Sequence, residues 1–188
     1  AWVGHVSCER IAADLARGLD RLTSTMHDTP PRHRSLQATF AHSWRLLSDT
    51  ERQVFRELAI FRGGFSVQAA RAVAHAFPSI LASLADKSLL RRGGDQRYEM
   101  HEMLRAYARE QLHRTGEERA VRRRHLGHFV ALAQTAAPQL SGGTQEQWVS
   151  RLKEEEANLR EALHFAQESG RGEDGLRLAT ALWSFWDI

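Results

Sequence analysis

Cysteine is nearly absent from this sequence, which contains only Cys8 among 188 residues. A lone cysteine excludes an internal disulfide and any cysteine-based metal cluster, and it is typical of a reducing compartment. Long apolar runs are missing as well, and the first residues lack the basic-then-apolar order of a signal peptide. We therefore expect a cytoplasmic protein that makes no contact with the membrane.

The usual signatures of catalysis are missing too. The pair Gly63-Gly64 has neither the longer glycine spacing nor the Lys-Ser/Thr ending of a P-loop, which favours a tight turn. His125 and His128 are three residues apart on one helix face, but no third metal ligand stands at a telling spacing, so we interpret them as surface residues. We expect this chain to have neither catalytic activity nor a metal site.

The charge balance is mild, with 26 basic and 23 acidic residues, and it does not by itself indicate nucleic-acid binding. A hydrophobic content of 42% is typical of a globular protein. The sequence starts without Met, and it ends with an aromatic-rich stretch, residues 183–188, that another segment would normally cover. These features predict a piece of a longer polypeptide.

Apolar residues at spacings of three and four predict a mainly α-helical fold. The expected helices in the first half of the chain cover residues 7–22, 35–47, 48–61, 67–75 and 78–87. Ser48 and Glu51 match a capping box at the start of the third helix. Ser66 can cap the next helix, and Pro78 suits the first turn of the one after it.

A β-hairpin is expected after these helices. Two short strands, residues 89–92 and 96–100, flank the turn Gly93-Gly94-Asp95. Three helices followed by such a hairpin are the order of elements in a winged helix-turn-helix.

His101 stands where the second strand of this hairpin gives way to a helix that contains Met103 and Leu104. The first N–H groups of a helix have no partner within the helix, so this place suits an anion such as phosphate. A histidine here could add a hydrogen bond to that anion, or it could bond a neighbouring loop. The residues alone leave both roles open.

The second half of the chain predicts antiparallel helices joined by short loops, as in helical-repeat solenoids. Capping boxes are expected at residues 115–118 and 144–147, each at the start of a helix. The helix from residue 144 is expected to run through Leu163, with the charged residues 153–156 on a solvated face. A last helix is expected over residues 176–186.

Several ordered blocks of the sequence resemble bacterial signal-transduction ATPases of the STAND class, which are large LuxR-type and related regulators. The blocks are RHRSLQATF from Arg32, SWRLLS from Ser43, FRELAIFRGGF from Phe55, LADKSLL from Leu84 and YEMHEMLR from Tyr98. Residues 156–163 and 175–186 are similar to the start of a tetratricopeptide-type helical array.

The resemblance implies three parts of the chain. Residues 1–30 would be the end of the helical part of an NB-ARC-type nucleotide-binding module and a linker. Residues 31–114 would be a winged-helix domain with a short β-hairpin, and residues 115–188 would be the start of an array of antiparallel α-helical hairpins. The expected fold class is therefore mainly α.

In such proteins a Met-His-Asp motif ends the winged helix, and its histidine contacts the β-phosphate of bound ADP and holds a closed resting state. Here the motif reads Met100-His101-Glu102, with one more methylene at the third position. The resemblance thus makes His101 the ADP-sensing residue of the intact protein. The Walker motifs have no counterpart, so no cofactor is expected in this chain itself, and ADP or ATP with Mg²⁺ would belong to the parent chain.

The function that the resemblance implies is regulatory: a non-catalytic fragment involved in transcription that couples the nucleotide state to the binding of an effector. Its expected partners are the nucleotide-binding module of the same polypeptide and an inducer or protein partner on the helical array. DNA would be bound through another domain.

Direct DNA binding by the winged helix is the alternative function. The expected recognition helix, residues 78–87, has no Arg, Asn or Gln to read base edges. Basic side chains elsewhere could contact phosphate, or they could form a solvated or interdomain face: Arg91, Arg92, Arg97, Arg122, Arg123 and Arg124.

Overall fold

The structure is a computed structural model that describes residues 44–94 and 96–187. The helices expected over residues 7–22 and 35–47 and the domain expected over residues 1–30 lie outside this part of the chain, except for residues 44–47. Residues Leu47–Ile188 form one compact unit, to which all the elements below belong.

Helix α1 (Asp49–Leu58) starts with the predicted capping box. The Ser48 Oγ atom accepts a hydrogen bond of 3.2 Å from the Glu51 N–H, and the Glu51 carboxylate accepts one of 2.7 Å from the Ser48 N–H. The other carboxylate oxygen of Glu51 accepts hydrogen bonds from Ser83 and Lys87. Burial alone would raise the pKa of Glu51, but these hydrogen bonds outweigh it and lower the pKa to about 2. The helix ends three residues earlier than expected.

Helices α2 (Val67–Ala74) and α3 (Pro78–Asp86) form the helix-turn-helix. The Ser66 Oγ atom accepts a hydrogen bond of 3.1 Å from the Ala69 N–H, and Pro78 lies in the first turn of α3, so both predicted helix starts are confirmed. Between the helices, His75 adopts a left-handed conformation with φ 51°, which ends α2 and turns the chain.

In the described part of the chain, the sheet has three antiparallel strands, β1 (Gly64–Ser66), β2 (Arg91–Arg92) and β3 (Arg97–Glu99), in the order β1-β3-β2. The predicted hairpin of β2 and β3 is confirmed, although both strands are shorter than expected. Strand β1 was not predicted, because three residues beside a glycine pair give no periodicity. A Cβ atom at Gly64 would lie 3.3 Å from the carbonyl oxygen of Tyr98, so glycine allows the two strands to approach closely here.

Among the described residues, five further α-helices belong to the unit: α4 (Glu102–Thr115), α5 (Glu118–Ala136), α6 (Gln145–Glu154), α7 (Glu156–Glu168) and α8 (Gly172–Trp186). Helices α5 and α6 begin near the predicted positions, but their predicted capping boxes do not form. The Thr115 hydroxyl donates back to the carbonyl of Leu112 instead, and the Thr144 hydroxyl bonds the side chain of Gln139. The predicted positions of these two helix starts are therefore approximately correct, but the predicted capping boxes are wrong.

The helix expected to run continuously from residue 144 is broken at Glu155. The Glu155 N–H bonds the carbonyl of Leu152 at 3.2 Å, which tightens the turn between α6 and α7. The Glu155 side chain points inward and is buried, so the prediction of a solvated face is wrong at this residue. Its hydrogen-bond partners inside the unit, described below, compensate for its burial.

A winged helix followed by antiparallel helices is the confirmed fold. The two parts pack together: α5 lies against α2, and α8 lies against α5 and α7. An aromatic cluster of Phe61, Phe65 and Phe129 lies where they meet, with the rings of Phe61 and Phe65 stacked at 4.8 Å. The assignment of residues 31–114 and 115–188 to two separate domains stays a prediction.

Candidate functional site

His101 is the N-cap residue of α4. Its Nδ1 atom accepts a hydrogen bond of 3.3 Å from the Met103 N–H, and the side chain is exposed. In the neutral imidazole, an accepting Nδ1 atom places the proton on Nε2, so this cap assigns the tautomer from the hydrogen bond. His101 therefore satisfies the start of the helix with one nitrogen and presents an N–H donor with the other.

A groove of about 740 Å³ lies beside His101 and is called the His101 groove below. It lies between the end of α3, the hairpin and the start of α4. Its lining residues are Ala85, Asp86, Ser88, Leu89, Leu90, Arg91, Arg92, Glu99, Met100, His101 and Leu104. The structure thus brings together three of the residues that the sequence singled out, His101, Arg91 and Arg92.

Both arginines of the His101 groove pair with carboxylates at its edge. Arg91 pairs with Glu99, which raises the pKa of the Arg91 guanidinium, and Arg92 pairs with Asp86 at 3.1 Å. The side chains of Arg91 and Arg92 are 79% and 58% exposed. Exposed ion pairs contribute little to stability, so an anion in the groove could replace these carboxylates at low cost.

Arg97 and Arg124 do not reach the His101 groove. They connect the winged helix to the helices that follow, as members of a set of side chains called the polar junction below. The polar junction consists of Glu57, Arg62, Arg97, Arg124, Glu155, Asn158 and Glu161. Arg97 on β3 pairs with Glu155, and Arg124 on α5 donates to the carboxylate of Glu57 and to the carbonyl of Val73, both at 2.6 Å.

Arg122 adjoins the polar junction. It pairs with Glu161 at 3.1 Å and with Glu168 at 3.0 Å, and its guanidinium lies 4.6 Å from the ring centre of Phe165. Burial alone would raise the pKa of Glu161, but the positive charges of Arg62 and Arg122 outweigh it and lower that pKa. Arg123 is exposed. Of the six arginines, two thus line the groove with His101, three make contacts within the folded unit, and Arg123 faces solvent.

Asn158 is a central residue that the sequence analysis missed. It is fully buried, its Oδ1 atom accepts a hydrogen bond of 2.7 Å from the Arg62 N–H, and its Nδ2 atom donates to the carbonyl of Gly64 at 3.0 Å and to Glu155 at 2.7 Å. A signal was available, because Asn158 stands on the same helical stripe as the buried residues Ala162 and Phe165. A polar residue on an apolar stripe predicts a buried hydrogen-bond network.

His125 is buried, which makes its interpretation as a surface residue wrong. Its ring lies 5.3 Å from that of Phe61 and 4.6 Å from that of Phe129, and burial lowers its pKa to about 3. His128 is partly buried, and its pKa is also lowered by burial. Within residues 44–94 and 96–187, no group of His, Cys, Asp and Glu side chains could hold a metal ion. The pair is thus part of the packing between α5 and its neighbours.

The expected recognition helix, α3, exposes little that could read a base. Its buried residues are Leu81 and Leu84, and its exposed end carries Asp86 followed by Lys87. Lys87 forms an ion pair with Glu51, so its charge already has a partner within the winged helix. The surface of α3 therefore offers neither Arg, Asn nor Gln for a base edge.

Comparison with known proteins finds a similar segment in three mycobacterial proteins. One is from Mycobacterium bovis and two are from Mycobacterium tuberculosis, strains CDC 1551 and H37Rv, and their names describe them provisionally as HTH-type transcriptional regulators. Each is 34% identical over 187 aligned positions, which cover 92% of this chain and 21% of the relative. The chain therefore spans about a fifth of the length of these relatives.

No protein-family model and no solved structure matches this chain. In the part of the chain that the structure describes, no helix combines the length and the apolar character needed to cross a membrane.

Proposed function

We propose that this chain is the winged-helix and first helical part of a transcriptional regulator, and that it couples bound nucleotide to an effector. Three similar proteins named as transcriptional regulators, each about five times as long as this chain, support the regulatory role. The observation that carries the proposal is the placement of His101 at the exposed start of α4, beside two arginines in one groove. The chain would be a non-catalytic part of a signal-transduction ATPase.

The residues of the His101 groove fit a nucleotide phosphate. His101 presents its Nε2–H donor, and the guanidinium groups of Arg91 and Arg92 can each form paired hydrogen bonds to phosphate oxygens. When ADP is bound by the nucleotide-binding module of the parent chain, these groups would hold its phosphate from the side of the winged helix. The resting state would then be stabilised by this contact, and its loss would release the winged helix.

The mixed charge of the groove suits reversible contact. Asp86 and Glu99 keep the two arginines paired when no phosphate is present. An incoming phosphate would exchange one exposed ion pair for another, so neither state leaves a buried charge without a partner. An effector on the helical array would need to shift this balance by only a few kcal/mol, or about 10² to 10³ in population.

DNA binding by the winged helix itself is the second candidate, favoured by the helix-turn-helix of α2 and α3 and by the names of the relatives. Those names describe whole proteins, and this chain matches 21% of their length. The exposed surface of α3 lacks base-reading side chains, which favours DNA contact through another domain. A titration with duplex DNA at two salt concentrations tests this candidate, since phosphate contacts make binding weaken steeply with salt.

The decisive experiment measures the ADP that the intact protein retains on purification, in the native form and in the variants His101→Ala and His101→Asn. Asparagine is a good N-cap residue, so His101→Asn keeps the helix start while it removes the imidazole. We expect both variants to lose ADP while the fold is unchanged. His113→Ala is the control, because His113 is an exposed histidine at the other end of α4.

Equal ADP retention by the native protein and by both His101 variants would overturn the proposal. Loss of ADP in His101→Ala but not in His101→Asn would show that the cap matters and the imidazole does not.

A further inference from the structure

One peptide group, between Phe61 and Arg62, is held from two sides by different parts of the molecule. Its carbonyl oxygen accepts a hydrogen bond of 3.2 Å from Arg105 Nη1, on α4. Its N–H donates a hydrogen bond of 2.7 Å to Asn158 Oδ1, on α7. The two bonding partners belong to the helix that starts at His101 and to the helical array, and they meet at the two ends of a single amide.

On the side of the helical array, hydrogen bonds fix the orientation of the Asn158 side chain. Asn158 accepts from the N–H of Arg62 and donates to the carbonyl of Gly64, so the amide can be oriented in only one way. The side chain of Arg62 also pairs with Glu161 at 3.1 Å. The loop over residues 61–64 is thus bonded to α7 at both of its ends.

On the α4 side, Arg105 lies in the helical turn that His101 caps. The backbone N–H of Arg105 donates to the His101 carbonyl at 2.9 Å, as the first turn of the helix requires, and the guanidinium of Arg105 also pairs with Glu102. Arg105 is therefore attached to the turn that His101 caps, and only 14% of its side chain is exposed. A change in the position of this turn changes the position of the guanidinium that bonds Phe61.

We infer that the peptide group 61–62 couples the first turn of α4 to α7, with Arg105 and Asn158 as the positioning residues. This rests on the proposed function, in which His101 contacts nucleotide. The peptide group is planar and stiff, so its carbonyl cannot move without its N–H. A ligand that displaces α7 would therefore change the nucleotide affinity at His101, and nucleotide would change the affinity for that ligand by the same factor.

The first arm of the test measures the affinity of the intact protein for ADP in Asn158→Asp. An aspartate can still accept from the Arg62 N–H, but it cannot donate to Gly64, and its charge would lie beside Glu155. We expect ADP to bind more weakly by about fivefold or more, although Asn158 is not in the His101 groove. Arg160→Ala is the control, because Arg160 is an exposed residue on the same helix.

The second arm needs no nucleotide and uses Arg105→Met in the full 188-residue chain. If the peptide group connects the two sides, loss of the Arg105 hydrogen bond loosens the bond to Asn158, and hydrogen exchange at the Arg62 N–H speeds up by about tenfold. Arg105→Lys, which retains a donor for the Phe61 carbonyl, should restore slow exchange at least in part.

Unchanged exchange at the Arg62 N–H in Arg105→Met would overturn the inference, whatever the ADP measurement shows. So would unchanged ADP affinity in Asn158→Asp, provided that His101→Asn weakens ADP binding. If the His101 variants bind ADP normally, the proposed function fails, and the exchange measurement alone decides whether the peptide group couples α4 to α7.

Discussion

The His101 groove and the polar junction contain the same kind of ion pair in opposite surroundings. In the groove, Arg92 and Asp86 pair with 58% and 74% of their side chains exposed. In the junction, Arg124 pairs with Glu57, of which only 3% is exposed. An arginine in water can change partners at little cost, whereas removal of the partner of a buried carboxylate costs several kcal/mol. The ion pairs of the groove are therefore suited to reversible binding of a ligand, whereas those of the junction are suited to a permanent structural contact.

The largest expected loss of stability is in the aromatic cluster of Phe61, Phe65 and Phe129. Phe61 is buried and contacts Phe65 and His125, so Phe61→Ala should lower the free energy of unfolding by about 3–5 kcal/mol. Phe77→Ala is the control, because 57% of Phe77 is exposed, and it should cost less than about 0.5 kcal/mol. Chemical denaturation measures both. Similar losses would mean that the aromatic cluster is not a tightly packed part of the unit.

Two matched arginine substitutions test the ion pairs themselves. Arg124→Met leaves the Glu57 carboxylate buried without its cation and should cost about 2–3 kcal/mol of unfolding free energy. Arg92→Met removes an exposed pair in the His101 groove and should cost less than about 0.5 kcal/mol. Denaturant midpoints compare the two variants directly. An Arg92→Met loss as large as that of Arg124→Met would remove the distinction between the two regions.

His125 makes the junction side of the molecule sensitive to acid. Burial lowers its pKa from 6.5 to about 3. Below pH 6.5 the unfolded chain binds a proton that the folded chain does not, so the stabilising contribution is complete above pH 6.5 and is lost as the pH falls toward 3. At pH 5 the loss should be about 2 kcal/mol.

The measurement for His125 is the unfolding free energy between pH 7 and pH 5 in the native chain and in His125→Gln. The variant should show a flatter dependence on pH, since glutamine does not titrate. Parallel curves would indicate that another group, such as the partly buried His128, causes the acid sensitivity.

A smaller loss of stability than at His125 is expected at His101, in the groove. His101→Ala removes the cap that Met103 N–H requires and should cost about 1 kcal/mol, whereas His101→Asn should restore the native stability. Thermal unfolding of the two variants separates the cap from any other role of the imidazole. If His101→Asn is as unstable as His101→Ala, the imidazole makes a structural contact besides the cap.

Local signals in the sequence predicted the helix starts well. Ser48, Ser66 and Pro78 lie at the predicted places, because caps and first turns depend on side chains within three or four residues. The hairpin, and the position of His101 between the second strand of the hairpin and the next helix, were predicted for the same reason. The fold class followed from these elements and from their order.

Contacts between distant segments could not be predicted in the same way. Strand β1 exists because Phe65 pairs with Tyr98, and the inward position of Glu155 depends on Arg97, 58 residues earlier. No pattern within either segment contains that information. Asn158 is an intermediate case, since its place on an apolar stripe indicated burial, but its partners at Arg62 and Gly64 became visible only in the structure. Whether His101 and the six arginines bind phosphate stays a prediction.

The tip of the hairpin offers a position for a spectroscopic reporter. A Cβ atom added at Gly94 would meet no atom within 4 Å outside the neighbouring residues, and Cys8 is the only cysteine in the sequence. Gly94→Cys together with Cys8→Ser would therefore give a single thiol for a fluorescent dye. The strand that leads to this tip carries Arg91 and Arg92, which line the His101 groove. The emission of such a dye could follow the filling of the groove in real time, without any label on the ligand.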